Sequence, residues 1–257
     1  MPAEGGKPGS KRAAAQRRIA EKRAAEAAAR AHAVRRRRST IGGALAAVVV
    51  VLAVVVGILV QSQRSATSAT ARVPAHTTDS GNVVVVGSAT APVTVDLYED
   101  LQCPNCKAFE ASTGKTLAQL VAAGTVQAHY HGMAFLDTAA NGQYSTRALN
   151  AAAAVVDAAG STAFQKFHDL LYANQPAEGG SGLSDAQLIA YAHQAGATGA
   201  AVDKEITDLT FGDWTKKVTD QASKDGVTGT PTVRVKGKAL SDLTPAGLTA
   251  AVKAAQG

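Results

Sequence analysis

Apolar residues run through this chain in two rhythms. From Ile41 to Val60 they form one unbroken stretch of 20 residues with no charged side chain. As a helix rising about 1.5 Å per residue, that stretch spans roughly 30 Å, the thickness of a bilayer core. From Val83 onward the runs are short and change between strand and helix spacing. Val83 to Val86 is a β-branched run ending at Gly87, and Val93 to Tyr98, after a turn containing Pro92, predicts a second strand. Leu117, Leu120 and Val121 share one helical face, and Gly124 is a natural stop for that helix. Thr125 to His131 predicts a third strand.

The pattern then turns helical from about Tyr144 to Asp225. Ala148 to Ala159 is Ala-rich, and Phe164, Phe167, His168, Leu170 and Leu171 form a second apolar stripe. Pro176 to Gly182 is a loop, Ser184 with Gln187 fits a capping box, and Trp214 falls on a later helix. Thr232 to Val235, a Lys236-Gly237 turn and Lys238 to Leu240 predict a hairpin. Thr244-Pro245 fits an N-cap with proline at the first helical position. The resulting division is a tail (1–40), a transmembrane helix (41–60), a flexible Ser/Thr/Ala-rich linker (61–82) and an α/β domain (83–257) with a helical insertion at about 144–225.

Charge sharpens this picture. Residues 1–40 hold 12 Lys/Arg against 3 Asp/Glu, whereas the remainder holds 14 against 17. The basic excess therefore belongs to the tail, and the mildly acidic, aromatic-poor remainder does not suit nucleic acid. Arg35 to Arg38 directly precede the apolar run, so the positive-inside rule keeps the tail cytoplasmic and exports everything after Val60. A cleaved secretory signal has a shorter apolar core than this, which favours a retained signal-anchor, although the small residues of Ser65 to Ala71 leave cleavage open. The Ala/Arg/Lys-rich segment Lys11 to Arg38 is a topology signal, or a helix lying on anionic membrane lipid.

Candidate chemistry converges on Cys103-Pro104-Asn105-Cys106, which holds both cysteines of the chain where a strand ends and a helix begins. Thiolate, not thiol, is the nucleophile of disulfide exchange, and the unpaired N–H groups of a helix start favour it. Cys103 at that start is the attacking sulfur, and Cys106, one turn later, the resolving one. Pro104 suits the first helical position, Lys107 adds positive charge, and Glu99 and Asp100 oppose it or accept a proton from Cys106. A zinc site would need His129 and His131 to complete the ligand set, and no zinc-finger spacing links them to the cysteines. A purely structural disulfide across four residues would be a weak staple.

Strand, Cys-Pro-X-Cys, helix, helical insertion, then Gly-Thr-Pro before a hairpin resembles the DsbA-like thioredoxin-fold family, in its membrane-anchored actinobacterial form. Tyr98 to Glu110 and Gly226 to Thr232 carry the resemblance, which covers about residues 83–257. It implies a thiol–disulfide oxidoreductase without a cofactor, most simply one that oxidises cysteine-containing exported proteins. It also implies a quinone-linked integral-membrane partner that reoxidises it, and a cis-proline at Pro231, with Thr230 facing an incoming peptide. A reductase or isomerase using the same pair, or a tethered binding module, are the alternatives. One departure stands out. Many relatives place a buried acid six residues before the first cysteine, where this chain has Leu97, while Asp96 falls on the opposite strand face unless a bulge restores it.

Overall fold

The computed structural model describes residues 71–256, so the predicted tail, the predicted transmembrane helix and the first part of the predicted linker lie outside the described residues. Among the described residues, no helix is long and apolar enough to cross a membrane. The sheet is built from β1 (Thr77–Thr78), β2 (Val83–Val86), β3 (Val93–Asp100), β4 (Val126–Met133), β5 (Thr232–Val235) and β6 (Lys238–Ala239). Their order across the sheet is β1-β2-β4-β3-β5-β6. The central pair β3 and β4 is parallel, and β2 and β5 flank it antiparallel.

Parallel pairing of β3 with β4 needs a helical crossover, and the chain supplies one. It comprises α1 (Pro104–Phe109), a π-helical turn (Glu110–Gly114) and α2 (Lys115–Ala122). Gly124, at φ +70, ends it where the sequence places the stop. Strand alternation sorts the side chains. Val93, Val95 and Leu97 on β3, with Val126, Ala128 and Tyr130 on β4, face one buried side. Thr94, Asp96 and Tyr98 face the other, with Gln127, His129 and His131 opposite them.

The helical insertion comprises α3 (Tyr144–Ala173), α4 (Asp185–Ala195), α5 (Ala200–Thr207) and α6 (Gly212–Lys224). The two apolar stripes predicted in its first part belong to one long element, interrupted at Gly160, whose φ of 76° and ψ of −173° are not helical. Ala148 and Ala151 to Ala154 are buried, so small side chains let neighbouring elements approach α3 closely. Buried Asn150 donates to the carbonyls of Glu205 and Ile206 and accepts from Phe211 N–H, tying α5 and the start of α6 to α3. The capping box of Ser184 and Gln187 opens α4, and Thr244 caps α7 (Pro245–Ala255), both as predicted.

The predicted linker needs a correction over its last twelve residues. Segment 71–82 is packed on the insertion. The Arg72 guanidinium pairs with Asp157 at 3.0 Å and Glu205 at 2.7 Å and stacks over the Phe211 ring at 4.7 Å. Trp214 Nε1 donates to Gly81 O at 2.6 Å, and Thr77–Thr78 adds a strand to β2. These ties run through ion pairs and backbone carbonyls, which leave no apolar period in the sequence.

Candidate active site

Strand β3 ends in a buried acid that organises the loop leading to the cysteines. Asp100 Oδ1 accepts from Gln102 N–H at 2.9 Å and from Ser145 Oγ at 2.7 Å, and Oδ2 accepts from Leu136 N–H at 3.0 Å. Burial raises its pKa, and the hydrogen bonds from Gln102, Ser145 and Leu136 pull against that rise. Cys103 N–H donates to Asp100 O at 2.9 Å. Gln175, just past α3, donates from Nε2 to both Leu101 O and Cys103 O at 3.0 Å. Buried Gln102 accepts from Asn141 Nδ2 at 2.8 Å. The insertion thus holds the active loop through polar side chains on both of its flanks.

Cys103 is the N-cap of α1, with extended backbone (φ −72°, ψ 120°), and Pro104 takes the first turn. Both cysteines are free thiols. Cys103 retains 5% exposure and Cys106 none. The Cys103 Sγ donates to Thr230 O at 3.4 Å, beside the cis Thr230–Pro231 bond. A groove of about 440 Å³ opens over this sulfur, lined by Pro104, Asn105, Phe135, Leu136, Glu178 and Thr228 to Thr230. Cys106 faces inward. Burial pushes its thiol far above the ordinary value, and the charge of Glu99 adds to the rise.

Glu99 belongs to a cluster of three ionisable groups from three elements. Glu99 is the penultimate residue of β3, Glu110 follows Cys106 by one helical turn, and His168 lies on α3. His168 Nε2 sits 3.0 Å from Glu99 Oε2, and one ligand-type atom of each group lies within 4.8 Å of the others. Rings of Tyr130 and Tyr172 pack edge-on against His168. Burial pushes the Glu110 carboxyl up to about 8, with the Glu99 charge reinforcing it. Burial works against the His168 imidazolium, yet the carboxylates of Asp169, Glu99 and Glu110 outweigh it and raise its pKa to about 10. Asp169 stands 3.6 Å from His168 Nδ1, an ion-pair distance rather than a hydrogen bond.

The sequence-predicted residues sort accordingly. Cys103, Pro104, Asn105 and Thr230 line one groove, with Cys106 behind it and Pro231 adjoining Thr230. Lys107 does not join them. Its Nζ donates to Gln175 O at 3.3 Å, and it lines a separate cavity behind α1. Asp96 does not replace the missing buried acid, because β3 and β4 pair without a bulge from Val93 to Asp100. Its carboxylate accepts from His131 at 3.2 Å and lies 3.4 Å from His129. Burial alone would raise the Asp96 pKa, but these two histidines hold it well below the ordinary range. His129 and His131 do share a face, and they face Asp96 rather than the cysteines. The inner-face acid is Glu99, two residues beyond Leu97 and so on the same side of the pleat. Glu110, His168 and Gln175 escaped a reading by motif. A histidine inside an apolar stripe was the visible signal for His168.

Comparison with known proteins agrees with this architecture. A family model described as thioredoxin matches residues 79–254. DsbA from Mycobacterium tuberculosis superposes with a TM-score of 0.61 at 36% identity, covering 69% of this chain and 93% of that one. DsbG, a disulfide bond oxidoreductase of the same organism, gives 0.62 at 38% identity, covering 69% and 88%. MdbA from Corynebacterium diphtheriae, a thiol-disulfide oxidoreductase, shares the fold with a TM-score of 0.57 at 22% identity, covering 68% and 89%. Serine/threonine-protein kinase PknE of M. tuberculosis is 32% identical over 123 residues, 46% of this chain and 22% of the kinase. The match thus spans about a fifth of that relative's length.

Proposed function

This chain belongs to the thioredoxin family, as a thiol–disulfide oxidoreductase of the DsbA type, and on that premise we propose that Cys103 and Cys106 are its redox pair and that it oxidises cysteines of exported proteins. One observation carries the reading. The Cys103 sulfur lies in a groove beside Thr230 O, whereas the Cys106 sulfur behind it is fully buried. Only the first can meet a substrate.

A substrate thiolate entering the groove attacks Cys103 Sγ of the Cys103–Cys106 disulfide. The S–S bond breaks, Cys106 leaves with the electron pair and is protonated, and a mixed disulfide joins substrate to Cys103. A second substrate thiolate attacks the substrate sulfur of that bond, closing the substrate disulfide and expelling Cys103 as thiolate. Two electrons pass from substrate dithiol to the enzyme pair, and the exchange itself needs no bound cofactor. Backbone groups at Thr230, next to Pro231, pair with the substrate in a strand-like manner, and Pro104 and Asn105 form the lip it crosses.

The apolar run 41–60 and Arg35 to Arg38 support a single-pass anchor, with the catalytic domain outside the cytoplasm. That compartment favours disulfide formation. A quinone-linked integral-membrane protein is the matching oxidant for the reduced pair.

The test is the reduction potential of the full chain, equilibrated against glutathione. An oxidase should lie well above thioredoxin's value of about −270 mV, toward the −120 mV of strong oxidants. A potential at or below thioredoxin's would instead make the chain a reductase. Cys106→Ser should trap exported proteins as mixed disulfides at Cys103. Unchanged oxidative refolding by Cys103→Ser would leave only a tethered binding module.

A further inference from the structure

The groove over Cys103 is lined unevenly. Phe135 and Leu136 offer half-buried apolar side chains, and Pro104 and Asn105 are exposed at the start of α1. Glu178, from the loop between α3 and α4, is exposed as well. Among the described residues that line the groove, it alone has a formally charged side chain. Lys107, the basic residue next to the cysteine motif, donates to Gln175 O instead and is not part of this lining. Carboxylates on the neighbouring helices are paired, Asp185 with Arg147, Asp203 with His193 and Asp213 with Lys216. Glu178 forms no hydrogen bond or ion pair with any described residue.

We infer that Glu178 is a specificity-determining residue, which selects substrates carrying lysine or arginine beside the reacting cysteine. The inference rests on the reading above that Cys103 meets its substrate in this groove, and it leaves the exchange steps of that reading unchanged.

An exposed carboxylate discriminates between substrates only if it is held near the reacting sulfur. The loop that carries Glu178 is tied to the cysteine segment on both sides. Gln175 donates to Leu101 O and Cys103 O at 3.0 Å, and Gln102 Nε2 donates to Gly180 O at 3.3 Å. Residues 175 and 180 are thereby fixed against residues 101–103, and Glu178 lies between them. Pro176 restricts the backbone of this short span, and Gly180 N–H donates to Ala177 O at 3.4 Å, folding it into a turn. Just beyond, Arg147 donates to Ser181 O at 2.6 Å and Leu183 O at 2.7 Å. The apolar lining is held by the same polar network. Leu136 N–H donates to Asp100, and Asn141 Nδ2 donates to both Leu136 O and Gln102 Oε1. The groove and its charge are therefore set before a substrate arrives.

A cationic side chain entering beside Cys103 meets an uncompensated carboxylate, and an anionic one is repelled by it. Solvent reaches Glu178, so each effect is modest. The two have opposite signs, so a comparison of lysine with glutamate adds them. Charge complementarity of this kind governs the choice of partner and the rate of encounter more than it governs tightness of binding.

The test measures second-order rate constants of the oxidised full chain with three reduced dithiol peptides. The peptides are identical except for Lys, Gln or Glu flanking the cysteines, and selectivity is the rate for the Lys peptide over that for the Glu peptide. A lysine beside a cysteine changes that thiol by itself, so the contrast between wild type and Glu178→Gln isolates the pair. At low salt, wild-type selectivity should exceed that of Glu178→Gln on the order of five- to tenfold. Glu178→Lys should fall below Glu178→Gln. The excess should shrink toward one in about 1 M salt, where the screening length is about 3 Å. Asp213→Asn removes a charge at the start of α6, outside the groove, and should keep the wild-type selectivity. Equal selectivity in wild type and Glu178→Gln would overturn the inference. So would a change by one common factor for all three peptides, which would put the action of Glu178 on the Cys103 sulfur rather than on the substrate. An equal loss in Asp213→Asn would assign the selectivity to net charge instead. A chain that exchanges with all three peptides without the contrast loses the charge selection alone, whereas one that exchanges with none of them loses the redox reading itself.

Discussion

Cys103 and Cys106 stand one helical turn apart, and the chain surrounds them with opposite media. Around Cys103 the neighbours are backbone carbonyls, Pro104, Asn105 and the open wall of Phe135 and Leu136. Cys106 has no exposed surface and feels the charge of Glu99, which is clustered with Glu110 and His168. The first site is built by loops from the insertion and from the segment before β5, the second by the sheet, α1 and α3. One turn of helix thus separates a sulfur that a partner can reach from one that it cannot. The asymmetry assigns roles to two chemically identical residues.

The largest expected effect breaks that comparison by deleting one side of it. Cys103→Ser should remove the exchange rate by at least about a thousandfold, since covalent chemistry loses its nucleophile. Cys106→Ser has no internal disulfide to donate, but its Cys103 thiolate should still attack a substrate disulfide, expelling one substrate thiolate, and the mixed disulfide left without a resolving cysteine should accumulate on non-reducing gels. Equal amounts of mixed disulfide from Cys106→Ser and Cys103→Ser would mean that the two sulfurs are equally accessible.

How much of this was legible in the sequence follows the same division. Cys103, Pro104, Thr230 and Pro231 lie next to local signals, namely a strand end, a helix start and a turn before a hairpin. Local patterns of that kind predict the elements, and the family resemblance adds the roles of Thr230 and Pro231. The sealed side is assembled from Glu99, Glu110 and His168, up to 69 positions apart, and no short-range pattern links them. The acid expected at position 97 sits at 99 instead, and only strand register reveals that both positions face inward. The order of segment 71–82 was hidden for a related reason. Its anchors are Arg72 and backbone carbonyls, so it carries none of the apolar periodicity that marks folded segments.

A second prediction probes the sealed side through stability. The folded chain keeps a proton on His168 up to about pH 10, against an ordinary imidazole value of 6.5. A raised folded value means stability that is fully present below the unfolded pKa and lost as pH rises through the folded one. Glu110, raised from 4.5 to about 8, acts in the same sense, since the folded state holds a proton that the unfolded chain gives up. The melting temperature should therefore fall from about pH 5 to pH 10. His168→Asn should cost about 3–5 kcal/mol near neutral pH, because it leaves a buried Glu99 charge without its partner. Adding Glu99→Gln to it should restore part of that loss. A double variant as unstable as the sum of the two singles would deny the coupling.

The open side offers a smaller effect that sharpens the contrast. Gln175 bridges the carbonyls of Leu101 and Cys103 from a buried position. Gln175→Ala removes two hydrogen bonds and leaves their acceptors to be rescued by water, a cost of about 1–3 kcal/mol in denaturant midpoint. Because those carbonyls flank the cysteine that meets substrate, the variant should also slow mixed-disulfide formation. The pH dependence of stability assigned to His168 and Glu110 should stay unchanged, and a shifted pH profile would show that the two sides are not separable.

The smallest expected effect is the control on both. Arg72 belongs to neither side and ties segment 71–82 to α3 and α5. Its side chain is half exposed, so its ion pairs with Asp157 and Glu205 are screened and contribute at most about 1 kcal/mol. Its place over the Phe211 ring adds an amount on the order of 0.5–1 kcal/mol. Arg72→Ala should thus lower the melting temperature by only a few degrees, and the loss should shrink in high salt as screening erases the ion-pair share. Reduction potential, exchange rate and their pH profiles should match the wild type, because no hydrogen bond of the active loop passes through Arg72. A change in potential at equal stability would mean that the packed segment reaches the redox pair, and the division between binding side and sealed side would have to include a third region.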